Sequence, residues 1–117
     1  MASFHEHSST LKDLISNIPS YEDADMVADI LSILSDATRL RILWLLCHTT
    51  ECVTDIGIAI NMSAPAVSHH LKLLKSRNII ESKKVGKEML YHLADNKTAR
   101  IIHELLENML DITCPNK

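Results

Sequence analysis

The spacing of apolar residues along this 117-residue chain changes just after Arg77 and returns to a helical spacing near its end. Up to that point apolar residues mostly fall three or four positions apart, which predicts a series of amphipathic helices. Two runs of strand-forming residues then flank Val85-Gly86-Lys87, which predicts a hairpin with a basic tip. A last helical stripe extends from Ile101 to Leu110. Helices, one hairpin and a final helix together predict a mainly α fold with a two-stranded β wing, the winged helix-turn-helix.

Capping and helix-breaking residues indicate where the helices that precede the hairpin begin and end. A short helix ends before Pro19, and a second begins after Tyr21 with an acidic first turn. Asp36 is the expected N-cap of a third helix over residues 38–48. This third helix is apolar nearly all round, so we expect it to be the most buried.

Two further helices lie close together in the sequence. The first is short and covers residues 54–60, directly after Cys52. Ser63 then caps a longer helix that carries Pro65 in its first turn and continues to about Arg77. A very short turn therefore joins two helices, which is the arrangement of a helix-turn-helix.

Length and composition exclude several classes of protein. The chain fits one small domain and contains no His-Glu-x-x-His motif, no Gly-x-Ser-x-Gly motif and no evident pair of carboxylates, so we do not expect an enzyme. No stretch approaches the roughly 20 apolar residues of a membrane span, and the N-terminus is too polar for a signal peptide. These features predict a cytoplasmic protein with no membrane partner. An odd number of cysteines predicts thiols or metal ligands, or burial as small apolar groups, rather than disulfides.

The net charge of -3 conceals one basic region. Residues 1–36 carry a net charge of -6, whereas residues 63–91 carry +4. Nucleic acid responds to local charge rather than to the total, so a basic region of this size is compatible with DNA as the partner. The alternative is that these residues only keep a helix and a hairpin in solution. A protein-interaction module of the same shape is a third possibility.

The helix over residues 63–77 has two unlike faces. Ala64, Val67, Leu71 and Leu74 share the face expected to pack, and small polar groups, an imidazole and a lysine occupy the other. Such an outer face suits the major groove of double-stranded DNA, while the basic hairpin tip suits the neighbouring backbone. His70 falls beside the apolar stripe, so both a structural role and a reading role are open. The candidate DNA-binding residues are Ser63, Pro65, Ser68, His69, His70, Lys72, Lys75, Lys83, Lys84 and Lys87.

Three motifs resemble those of the ArsR/SmtB family of metal-sensing repressors. They are Ser35-Asp36-Ala37-Thr38-Arg39-Leu40-Arg41-Ile42-Leu43, Glu51-Cys52-Val53-Thr54-Asp55 and Ala66-Val67-Ser68-His69-His70-Leu71. The resemblance covers residues 24–113 and implies a homodimer that represses an operon and releases operator DNA when its effector binds. It implies a dimer interface made by the N- and C-terminal helices. The expected organisation is thus an N-terminal arm with a short helix over residues 1–21, and a winged-helix domain for DNA binding and dimerisation over residues 22–117.

The resemblance also suggests where an effector binds. Cys52 and Asp55 match a Cys-x-x-Asp pattern that supplies metal ligands in some members, and His5 and His7 on the arm would complete the set. A thiolate, a carboxylate and two imidazoles suit tetrahedral coordination, so zinc is the first expected ion within a Zn, Cd, Pb or As class.

The sequence offers alternative effector sites. A second family site, on the C-terminal helix, is degenerate here because its positions read Asp95, Lys97, Asn108 and Asp111. His103 and Glu107 are expected to form an ordinary helix-surface pair. Cys47 and Cys114 offer a redox alternative, in which a thiol pair senses oxidants or persulfides. With His48 and Cys52, they would instead form a thiolate-rich site for a softer ion.

Overall fold

The computed structural model describes residues 8–110. Within that range the chain forms six helices and three strands. They are α1 (Ser8–Ile15), α2 (Tyr21–Leu34), α3 (Ala37–His48), β1 (Glu51–Cys52), α4 (Val53–Ile60), α5 (Ala64–Ser76), β2 (Ile80–Val85), β3 (Glu88–Leu93) and α6 (Lys97–Leu110). The order of helices, hairpin and last helix is the one that the sequence predicts. No helix in this range is long and apolar enough to cross a membrane.

The chain divides into two compact units, with the boundary between Ile30 and Leu31. The first unit contains α1 and most of α2. A hydroxyl caps α2, since Ser20 Oγ accepts a hydrogen bond from the backbone N–H of Asp23 at 3.1 Å. The acidic first turn of α2 complements the positive end of the helix dipole.

The second unit has an apolar core to which all of its helices contribute. Only Ala37 and Arg41 of α3 are exposed, as predicted for the most buried helix. None of the buried side chains in the described range is polar or charged. The core side chains are Ile33, Leu34, Ile42, Leu43, Leu46, Ile56, Ile60, Val67, Leu71, Leu74, Ile79, Ile80, Ala94, Ala99, Ile102 and Leu106.

The predicted hairpin forms the two-stranded wing, β2 and β3, and a third short strand joins its sheet. The sheet has three antiparallel strands in the order β1-β3-β2, with Glu51 opposite Tyr91 and Cys52 opposite Leu90. A strand of two residues is too short to show an alternating pattern, and its pairing depends on where the fold brings β3. The predicted two-stranded wing is confirmed, and the sequence did not indicate the short strand β1 that extends its sheet.

Two glycines allow tight connections, one between α4 and α5 and one at the tip of the wing. A Cβ on Gly57 would lie 2.7 Å from the backbone oxygen of Met62, so a side chain there would collide with the turn between α4 and α5. Gly86 has a φ of 63° and is the first residue of the two-residue turn that joins β2 to β3. That positive φ suits a tight hairpin turn, as the sequence predicts.

Candidate nucleic-acid interface

A side-chain cap holds the N-terminal end of α5, and burial in the core holds its inner face. Ser63 Oγ accepts a hydrogen bond from the backbone N–H of Ala66 at 3.3 Å, which caps the helix as predicted. Val67, Leu71 and Leu74 are buried. Ala64 was also expected on the packing face, but it is exposed because it lies in the first turn, beyond the buried stripe.

The outer face of α5 is accessible along its length. Pro65, Ser68, His69 and Lys72 are all exposed. A hydroxyl and an imidazole can hydrogen-bond to base edges, and an ammonium can neutralise a phosphate. The structure thus brings together on one surface the side chains that the sequence predicts as readers.

His70 is not part of this open face. It is half-buried, and its Nδ1 lies 3.4 Å from Nη1 of Arg39 in α3. Arg39 Nε also donates to the carbonyl oxygen of Ile33 at 2.6 Å. The structure therefore places His70 in a contact between helices.

The same arginine contacts the cap of α3. Its backbone N–H donates to Asp36 Oδ2 at 2.9 Å. This hydrogen bond, assisted by the positive charge of the guanidinium, lowers the pKa of the Asp36 carboxyl from its usual value. The cap therefore stabilises the fold while Asp36 is ionised, and that contribution is lost as the pH falls through the lowered pKa.

The wing carries a second set of cations. Lys83, Lys84 and Lys87 are exposed at or beside the turn. Lys75 of α5 donates from Nζ to Ser82 Oγ of β2 at 2.6 Å, so a hydrogen bond joins the helix to the wing. An ammonium has three donors, so Lys75 keeps others for a phosphate.

The residues predicted as metal ligands are only partly within the described range. Cys52 is half-buried at the N-cap position of α4 but makes no side-chain capping hydrogen bond, and Asp55 is exposed in the first turn of that helix. Across residues 8–110, no three His, Cys, Asp or Glu side chains are grouped closely enough to hold a metal ion. His5 and His7 lie outside this range. The described chain thus offers two of the four predicted donors.

The alternative sites are also divided by the limits of the described range. Cys47 is half-buried in the last turn of α3, whereas Cys114 lies beyond residue 110. In the degenerate site on the last helix, Asp95 forms an ion pair with Arg100 at 3.1 Å. His103 Nε2 lies 3.3 Å from Glu107 Oε1, which is the helix-surface pair that the sequence predicts.

Comparison with known proteins identifies the family. Residues 36–82 match the model of bacterial regulatory proteins of the ArsR family. A transcriptional repressor SmtB homolog from Synechocystis sp. is 30% identical over 103 residues, which are 88% of this chain and 78% of the relative. The chain belongs to the ArsR family. The cadmium resistance regulatory protein CadC from Listeria innocua is 37% identical over 68% of each chain.

A solved ArsR-family structure supports the same fold. The homodimeric winged helix-turn-helix DNA-binding domain of a possible ArsR-family regulator from Mycobacterium bovis superposes with a TM-score of 0.68 and 29% identity. The match covers 80% of this chain and 88% of that one. The protein is accordingly a winged-helix transcriptional regulator of the ArsR family.

Sequence reasoning missed two contributors to this ArsR-family surface. Arg39 lies in the motif from Ser35 to Leu43 that resembles the family, but its contact with His70 spans 31 positions and no local pattern indicates it. Ser82, on the neighbouring strand, accepts a hydrogen bond from Lys75. The expected strand register is the only signal in the sequence that would have suggested Ser82.

Proposed function

We propose that this ArsR-family chain is a transcriptional repressor that binds operator DNA as a homodimer and releases it when a metal ion of the Zn, Cd, Pb or As class binds. The observation that carries the proposal is the exposed polar face of α5 beside a wing with three exposed lysines. Because the inner face of α5 is buried, the outer face is available to a partner without loss of the core.

DNA binding divides between two kinds of contact. Ser68 and His69 enter the major groove and hydrogen-bond to base edges, while Ser63 and Pro65 approach with the first turn of the helix. Lysines along the helix and at the wing neutralise phosphates and release counterions. The phosphate-binding set is Lys72, Lys75, Lys83, Lys84 and Lys87.

The homodimer rests on the apolar side of the last helix. Side chains on one side of α6 are buried in the core, but Ile101, Leu105 and Met109 on another side remain exposed. An exposed stripe of this kind is typical of an interface with a second protein surface. The N-terminal helices would contribute the rest. A two-fold dimer would place its two α5 helices in successive major grooves of an inverted-repeat operator.

The effector would bind at Cys52 and Asp55, with His5 and His7 from the arm. Sulfur, oxygen and nitrogen donors of this kind suit zinc or cadmium, and the name of the CadC relative, a cadmium resistance regulatory protein, is consistent with a metal. Joining the arm to the start of α4 would change the dimer geometry. Both α5 helices would then no longer fit adjacent grooves, and DNA would be released.

The DNA-reading part is tested with a duplex that the wild-type chain enriches from a random library, here called the selected duplex. A scrambled duplex of the same length and composition is the reference. We expect His69→Ala to lower affinity for the selected duplex by about tenfold and to leave the scrambled duplex nearly unaffected, because one base contact is worth about 1–3 kcal/mol. Fluorescence anisotropy measures both affinities. Equal losses on the two duplexes would show that His69 does not read bases.

Lys84→Ala is expected to lower the affinity for both duplexes by the same factor. Removing one phosphate contact should reduce the slope of log affinity against log salt by about one. Titrations at several salt concentrations measure that slope. Lys97→Ala on α6 removes the same charge from an exposed site outside the proposed surface. If the two variants changed the slope equally, the wing would have no special part in binding.

The metal part is tested by elemental analysis of the purified protein. We expect about one ion per chain after loading with zinc or cadmium, and substantial loss of it in Cys52→Ser, because the thiolate is the softest donor of the set. Unchanged metal content in Cys52→Ser would remove Cys52 from the site. If oxidation alone released DNA, and Cys47→Ser or Cys114→Ser prevented it, the redox alternative would replace the metal one.

A further inference from the structure

Arg39 joins three helices through its hydrogen bonds. Its Nε donates to the Ile33 carbonyl in the last turn of α2 at 2.6 Å, and its Nη1 lies 3.4 Å from His70 Nδ1 in α5. Its own backbone N–H is held by Asp36, the cap of α3. One guanidinium therefore connects the end of α2 and the start of α3 to the proposed reading helix.

The chemistry of the contact gives the direction of the hydrogen bond. A guanidinium has donors only, so Arg39 Nη1 donates and Nδ1 of His70 accepts. The neighbouring His69 is exposed on the outer face of α5, whereas His70 is half-buried. The two adjacent histidines thus have different surroundings and are suited to different tasks.

We propose that His70 is a positioning residue and not a base reader. By accepting from Arg39, it holds α5 against the guanidinium that also binds the last turn of α2. The outer face of α5 then keeps one orientation relative to α3 and the last turn of α2, which contains Ile33. A displacement of the end of α2 would move Arg39 and, through the contact of Arg39 with His70, the reading helix. This inference rests on the proposed function of α5 as the DNA-reading helix.

The test compares four variants on the selected and scrambled duplexes: Arg39→Lys, His70→Leu, the double variant and His70→Asn. Lysine cannot reproduce both side-chain contacts of the guanidinium, leucine removes the acceptor, and asparagine keeps an acceptor near the Nδ1 position. We expect each of Arg39→Lys and His70→Leu to lower affinity for the selected duplex about tenfold, with the scrambled duplex changed less than about twofold. The double variant should lose no more than the larger single loss, and His70→Asn should recover most of the affinity lost in His70→Leu.

Several results would overturn the inference. One is a double variant that loses the product of the two single losses, since independent sites behave in that way. Another is a His70→Leu variant that distinguishes the selected duplex from the scrambled duplex as well as the wild type does. A third is a loss of affinity in His70→Asn as large as that in His70→Leu. If that loss came from one base pair of the selected duplex, His70 would be assigned to base reading.

Failure of the inference can be distinguished from unfolding of a variant and from failure of the proposed function. Circular dichroism of each variant at the assay temperature establishes that it is folded, and if His70→Leu unfolds, Arg39→Lys and His70→Asn still decide between the two roles. A wild-type chain that distinguishes the duplexes, with variants that do so equally well, contradicts only the role of His70. A wild-type chain that distinguishes nothing contradicts the proposed function, and the inference fails with it.

Discussion

Leu105→Lys is expected to leave the chain monomeric and to lower its affinity for the selected duplex by more than about a hundredfold, because the two half-sites would no longer be bound together. Leu105 is 37% exposed and lies between Ile101, at 54%, and Met109, at 76%. A two-fold interface repeats each residue, so it would bring two lysines into one apolar contact. Their desolvation and mutual repulsion oppose association.

Glu104→Lys is the matched control. It introduces the same side chain one position away, at an exposed polar site of α6. Light scattering after size-exclusion chromatography gives the mass of each variant, and anisotropy gives its affinity for DNA. Both substitutions add positive charge, so electrostatics alone would strengthen DNA binding. A dimeric Leu105→Lys chain, or a monomer that binds as tightly as the wild type, would refute the proposed interface.

Leu71→Ala is expected to lower the free energy of unfolding by about 3 kcal/mol, since it leaves a cavity in a well-packed core. The Leu71 side chain is only 1% exposed and belongs to the buried stripe that holds α5 in place. Urea unfolding measures the change. Ile58→Ala on α4 is the control, because Ile58 is 74% exposed and its truncation should change stability by less than about 0.5 kcal/mol. A loss below about 1 kcal/mol in Leu71→Ala would mean that α5 is held mainly by contacts other than this stripe.

The sequence predicts α5 well because its signals are local. Ser63 as the cap, Pro65 in the first turn and an apolar stripe at helical spacing all lie within one segment. The same is true of the hairpin, whose turn requires the positive φ of Gly86. Where capping, periodicity and turn chemistry agree, the bounds of an element follow from the order of residues alone.

Features that depend on distant parts of the chain are not predictable in this way. β1 exists because β3 lies beside it, and a two-residue strand has no pattern of its own. The role of His70 depends on Arg39, which a helical wheel of α5 does not include. The proposed metal site would require the arm to approach Cys52, and spacing in the sequence contains no information about that distance. Local patterns therefore predict the exposed polar face of α5 better than they predict the site proposed to regulate it.

Control of DNA binding by metal is tested most directly by one titration. Affinity for the selected duplex is measured without metal and with zinc, cadmium, lead and arsenite, in the wild type and in Cys52→Ser. We expect at least one ion to weaken wild-type binding by about tenfold or more, as for a typical coupling between two sites. Cys52→Ser should abolish that effect. Unchanged affinity with all four ions, or an equal response in Cys52→Ser, would contradict metal control through Cys52.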